Sequence, residues 1–206
     1  MAMSKLVRRL GVVSLILALG VCLWQMRVEA GGLAAPVQVT AAVPYGWADF
    51  CRRYVGECDG PPLPAQDIQL TSGARGQIER INRQVNAAIQ PVTDPDHWGL
   101  EDQWDYPLDG KGDCEDYALL KRKLLMVAGL PRQALLMTVV RDRHGEGHAV
   151  LTVKTDRGDY VLDNLSDALL LAADTRYRFV KRQSQEDPNV WVPLGNPGPS
   201  PLFTAR

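Results

Sequence analysis

The chain changes its hydrophobic period once, at Gly129-Leu130-Pro131, and that switch constrains the fold more than any other feature. Upstream the apolar residues follow helical spacing. Ile78, Ile81, Val85 and Ile89 recur every three or four positions, predicting an amphipathic helix that starts from a cap at Thr71 or Ser72, runs to about Gln90 and stops at Pro91. A second helix is expected from about Asp113 to Ala128, with acidic residues in its first turn and a Gly129 stop followed by Pro131. Trp47, Phe50, Cys51, Tyr54 and Val55 predict a shorter helix, and residues 91–111 a long aromatic loop. Downstream of Pro131, the runs Ala134 to Val140, His148 to Lys154 and Asp159 to Asn164 read as strands separated by turn-forming segments. They form an antiparallel meander, to which Tyr177 to Arg182 and Asn189 to Val192 are expected to add further strands.

Composition bounds the rest. With 206 residues, 46% hydrophobic and 23% charged, the chain can bury one compact core. A net charge of -1, with basic residues spread along the chain, excludes nucleic acid as a partner. The N-terminus reads as an export signal. Lys5, Arg8 and Arg9 precede an apolar run from Leu10 to Trp24, and Val28-Glu29-Ala30 predicts cleavage after Ala30. Left uncut, the charge-free stretch from Leu10 to Met26 would serve as an anchor. The expected organisation is a leader (1–30), a tether (31–44), one domain (45–194) and a Pro/Gly-rich tail (195–206).

In either case the folded part meets an oxidising compartment. Cys22 leaves with the leader, and Cys51 and Cys58 are spaced for a disulfide. Cys114 is then unpaired. A buried structural cysteine is the ordinary reading of such a residue, but Asp113, Glu115 and Asp116 flank it, and three carboxylates do not belong on an apolar face. The start of a helix favours thiolate, whereas three neighbouring anions oppose it. A hard dication held by those oxygens would resolve the conflict. His148 opens the second strand of the meander and Asp163 closes the third, so the two can meet across the ladder. Thiol, imidazole and carboxylate are the parts of a nucleophile, a base and its orienter. His97 and His144 read as solvated, as does the run Lys121-Arg122-Lys123, and no Cys/His spacing fits zinc.

Three segments, Asp109 to Lys121 around Gly112-Asp113-Cys114-Glu115-Asp116, then Gly147-His148-Ala149-Val150-Leu151, then Val161-Leu162-Asp163-Asn164-Leu165, resemble the bacterial transglutaminase-like cysteine peptidase family, whose best understood members are the LapG-type periplasmic proteases. The resemblance runs from about Tyr45 to Pro193. It implies an α+β, papain-like fold, with the catalytic cysteine at a helix N-terminus packed on an antiparallel sheet that carries the histidine and aspartate. It also implies a triad of Cys114, His148 and Asp163, calcium held by Asp113, Glu115 and Asp116, and a supporting role for Trp104 at the oxyanion. A protein substrate follows, in such families a surface adhesin, with an inner-membrane receptor responding to cyclic di-GMP as a partner. Tyr106-Pro107-Leu108-Asp109 and Gly147-His148-Ala149-Val150 depart from the usual LapG-type Thr-Pro-Leu-Glu and Ala-His-Met-Val, which marks a side branch. Three functions are compatible with these residues: an exported calcium-dependent cysteine endopeptidase, an acyltransferase in which an amine resolves the thioester, and a non-enzymatic binding module on the same fold.

Overall fold

The computed structural model describes residues 40–195. The expected leader, most of the tether and nearly all of the tail lie outside them. Among the described residues no helix is long and apolar enough to cross a membrane. Helix α1 (Tyr45–Arg53) buries Trp47 and Phe50 and runs into the loop closed by the Cys51–Cys58 disulfide. Val55, expected on its apolar face, lies beyond the helix and is exposed.

Helix α2 (Ser72–Ala88) begins where the Thr71 hydroxyl accepts the Ala74 amide at 3.1 Å, satisfying one of the helix's unpaired N–H groups. Its buried face is Ile78, Ile81, Asn82 and Val85. It ends two residues short of the expected Gln90, because Gln90–Pro91 forms a short strand, β1, parallel to β2 (Lys111–Gly112). The Gln90 and Val92 amides donate to Gly110 and Gly112, so the missing N–H of Pro91 costs the pairing nothing. Between β1 and β2 the chain makes one helical turn, α3 (Asp94–His97), which the sequence reading left as loop.

Helix α4 (Cys114–Val127) stops by main-chain geometry at Gly129, whose φ of 92° is open to glycine at little cost. The Leu130 amide bonds Leu125 O and the Gly129 amide bonds Met126 O, the pair of bonds that closes a Schellman turn. One sheet of six strands follows. Strands β3 (Leu135–Arg141), β4 (Gly147–Thr155), β5 (Gly158–Asp163), β6 (Ser166–Leu171), β7 (Arg178–Gln183) and β8 (Trp191–Pro193) lie in the order β6-β5-β4-β3-β7-β8, every neighbouring pair antiparallel. The meander is where the period change put it, and β6 is a strand the sequence reading missed.

Helix α4 packs on β3, β4 and β5 and against α2, and the Lys121-Arg122-Lys123 run is therefore not a solvated face. Lys121 and Arg122 are buried: Arg122 Nε donates to Leu135 O at 3.1 Å with its guanidinium over Trp47, and Lys121 Nζ sits over the Tyr117 ring. Only Lys123 reaches out, to pair with Glu57. A helix enclosed by a sheet on one side and helices on others has almost no wet face, whatever its charge pattern.

Candidate active site

Cys114 is the first residue of α4, and Asp113 precedes it as the cap residue. The helix points its N-terminus at the start of β4, where the Ala149 amide donates to Cys114 Sγ at 3.3 Å. His148 is the neighbour of that amide, 1% exposed. Its Nε2 lies 3.0 Å from Asp163 Oδ1, the last residue of β5. The Leu165 amide donates to the same oxygen, and the Tyr177 hydroxyl donates to Asp163 Oδ2 at 2.5 Å. Burial by itself would raise the Asp163 carboxyl, but the hydrogen bond and charge of His148, with Tyr177 and Leu165, hold it below the ordinary carboxylate value. With Nε2 given to Asp163, His148 Nδ1 is buried with no hydrogen-bond partner.

The thiol proton lies elsewhere. Cys114 Sγ donates to Glu115 Oε2 at 3.0 Å, and burial, then the charges of Glu115 and Asp113, push the thiol well above its usual value. A cysteine in these surroundings is a poor nucleophile unless the carboxylates are neutralised.

Those carboxylates are not on the surface. Asp113, Glu115 and Asp116 are all at most 1% exposed, which corrects the expectation that acidic neighbours keep Cys114 out of the interior. They are joined by two residues the sequence reading did not single out, Asp94 at the start of α3 and Asp102 in the loop after it. Asp94, Asp102 and Glu115, and Asp94, Asp113 and Asp116, each bring carboxylate oxygens within 4.8 Å of one another. The loop is tied on by its backbone: the Asp94 amide donates to Asp113 Oδ2, the Gln103 amide to Asp94, and the Asp105 amide to Asp116 Oδ1. Burial first, and mutual repulsion after it, push Asp94 up to about 6, Asp113 to about 7 and Asp116 to about 9, with Glu115 well above its usual range. Asp113 Oδ1 and Glu115 Oε1 are buried without a hydrogen-bond partner. Orphaned, closely spaced carboxylate oxygens are the donor set of a hard divalent cation, so these residues fit calcium.

Three other expectations are settled by position. Trp104 is fully buried among Trp47 and Trp191, and its Nε1 donates to Asp102 Oδ1 at 3.2 Å, so its N–H is committed away from an oxyanion. His97 is not solvated as expected: its side chain is 9% exposed, stacks on Trp98 and pairs with Asp109, whereas His144 is exposed in the turn before β4.

A thiol at a helix start, set against an antiparallel sheet carrying an imidazole–carboxylate pair, defines the transglutaminase-like class of cysteine peptidase, with its papain-like arrangement of helix and sheet. Residues 37–198 match the bacterial transglutaminase-like cysteine proteinases (BTLCP), and the chain belongs to that family. Its structure is similar to calcium-bound Legionella pneumophila LapG, at 27% identity over 66% of this chain and 76% of that one, with a TM-score of 0.51. The EGTA-treated form of the same protein matches at 26% identity over 62% and 70%, TM-score 0.50. A further Legionella pneumophila LapG structure matches at 29% identity over 58% and 68%, TM-score 0.49. No curated protein matches the chain.

Proposed function

We propose that the chain is an exported, calcium-dependent cysteine endopeptidase whose catalytic residues are Cys114, His148 and Asp163, acting in the periplasm or at the cell surface on a surface adhesin or similar protein. The observation that carries this reading is the junction of α4 and β4, where the Cys114 sulfur takes the amide next to His148 while His148 is held by Asp163. A leader (1–30), a tether (31–44), a peptidase domain (45–194) and a tail (195–206) complete the organisation we infer. An inner-membrane receptor that responds to cyclic di-GMP is the partner the LapG-type resemblance supports.

In the reaction, Cys114 gives its proton to His148 Nδ1 and the thiolate attacks the scissile carbonyl carbon. Asp163 and Tyr177 hold the ring with Nε2 toward the carboxylate, so the imidazolium presents Nδ1–H to the leaving nitrogen. The C–N bond breaks, the amine departs with that proton, and an acyl thioester remains on Cys114. Water then loses a proton to His148 and attacks the thioester, releasing the acid and restoring the thiol. The Cys114 amide, in a first turn where N–H groups lack an intrahelical partner, is the oxyanion donor at hand. Asp113, Glu115 and Asp116, with Asp94 and Asp102, would hold a calcium ion, whose positive charge would relieve the repulsion around the thiol.

The test is mass balance on purified protein. Incubated with cell-surface proteins and calcium, the natural chain should yield two fragments whose masses sum to the substrate plus water, and Cys114→Ala should yield none while keeping its melting temperature. Cross-linked or amidated product in place of fragments would replace hydrolysis with acyl transfer.

A further inference from the structure

The sheet carries an apolar shelf beside the imidazole's two partners. Strand pairing sets Val161 opposite Leu170, and Asp163 follows Val161 by two residues, so shelf and carboxylate project from one face of β5 and β6. Leu165 is 58% exposed and Leu170 40%, with Ala168 open beside them on the edge strand β6. These residues, together with Asp163 and Tyr177, line a cavity of about 420 Å3, a volume within the roughly 300–1,000 Å3 of small ligand sites. Its lining carries Asp142, Asp163 and Asp174 against Arg143 and Arg176, and Asp163 is already engaged by His148 and Tyr177. Exposed leucines gathered in a concave site fit an uncharged aliphatic group.

Chemistry says which part of a substrate passes there. The imidazolium must protonate the leaving nitrogen, so the chain on the C-terminal side of the scissile bond runs past His148 toward the residues that hold it. We propose that this shelf, resting on the peptidase reading above, is the subsite for the leaving half of the substrate and selects an aliphatic side chain within the first residues after the cut. The same shelf would receive the amine if the thioester were resolved by transfer.

Cleavage of a random peptide library by the calcium-loaded protein, with products sequenced by mass spectrometry, tests it. The natural chain should enrich Leu, Ile or Val C-terminal to the cut. Ala168→Trp, which fills the shelf from an exposed position, should lower kcat/KM for the preferred peptide at least tenfold and move the preference toward Gly and Ala. Leu165→Asp should move it toward Lys and Arg. A folding defect slows all peptides alike, so the change of preference is the decisive readout. Identical profiles in all three proteins, or no aliphatic preference after the cut in the natural chain, would overturn the subsite and leave the peptidase standing. Absence of cleavage of any peptide by the folded, calcium-loaded protein would overturn both.

Discussion

At the scale of single residues, the site is an argument about which proton sits where. Asp163 takes hydrogen bonds from His148, Leu165 and Tyr177, and its folded-state value lies below the ordinary one. Such a group contributes stability above its unfolded pKa of about 3.9, and that contribution is lost as pH falls through the lower folded value. Asp163→Asn should therefore lower the melting temperature at pH 7, with the deficit shrinking below about pH 4. A deficit of equal size at pH 7 and pH 2 would contradict the assignment. The same variant should reduce turnover on the order of 10²–10⁴-fold, because the imidazole loses the partner that fixes its tautomer. The Cys, His and Asp were legible in the sequence because each stands at an element boundary that punctuation marks: the helix after Gly112, the strand after Gly147, the turn after Asp163. Asp94 and Asp102 were not, since they approach Glu115 through a loop whose path depends on the short β1–β2 pairing.

At the scale of elements, α2 and α4 support the site from behind. Asn86 Nδ2, on α2, donates to Asp163 O at 3.0 Å, Ser166 O at 3.2 Å and Asp167 Oδ1 at 2.9 Å, and Asn82 Nδ2 adds Ser166 O at 3.0 Å. The β5–β6 turn, and with it the Asp163 carboxylate, hangs on these amides. Asn86→Ala should cost about 1–3 kcal/mol in unfolding free energy and lower kcat more than it raises KM; a change in KM alone would mean that Asp163 does not depend on the clamp. Lys121 makes a prediction of opposite sign. Burial pushes its ammonium down to about 7, with Asp163 and Asp167 only partly offsetting it, and Nζ has no hydrogen-bond partner. A lysine whose folded value is depressed destabilises the fold increasingly as pH drops from its unfolded value of about 10.4 to the folded one, and fully below that. Lys121→Met should thus raise the melting temperature at pH 7 and below, with the gain fading as pH approaches 10.5; a loss of stability at pH 7 would show that the ammonium has a partner. The helical period of α2 and the caps of α4 were readable from local sequence. The burial of Lys121 and Arg122 was not, because charge pattern reports composition and not what packs over a helix. Strand β6 escaped for a related reason: Ser166–Leu171 alternates poorly, and its pairing to β5 is irregular.

At the scale of the whole molecule, the acidic cluster is the joint between two regions that sequence separates. The 94–105 loop and the start of α4 meet there, tied to α1 by Arg53, which bonds Asp105 and Trp104 O. Without a cation the joint holds carboxylates that cannot all ionise, so calcium should stabilise the entire domain. At 100 times its dissociation constant the gain is about 2.7 kcal/mol, a shift of several degrees that chelator should reverse and that Glu115→Gln should largely abolish. A melting temperature indifferent to calcium would remove the ion from the account.

The most direct test compares new protein N-termini at the cell surface and in the medium between cells carrying the natural chain and cells carrying Cys114→Ala, each with and without a calcium chelator. A cut that appears only with Cys114 and free calcium is the predicted result, and it names the substrate. Identical N-termini in all four conditions, with both proteins folded and exported, would contradict the endopeptidase.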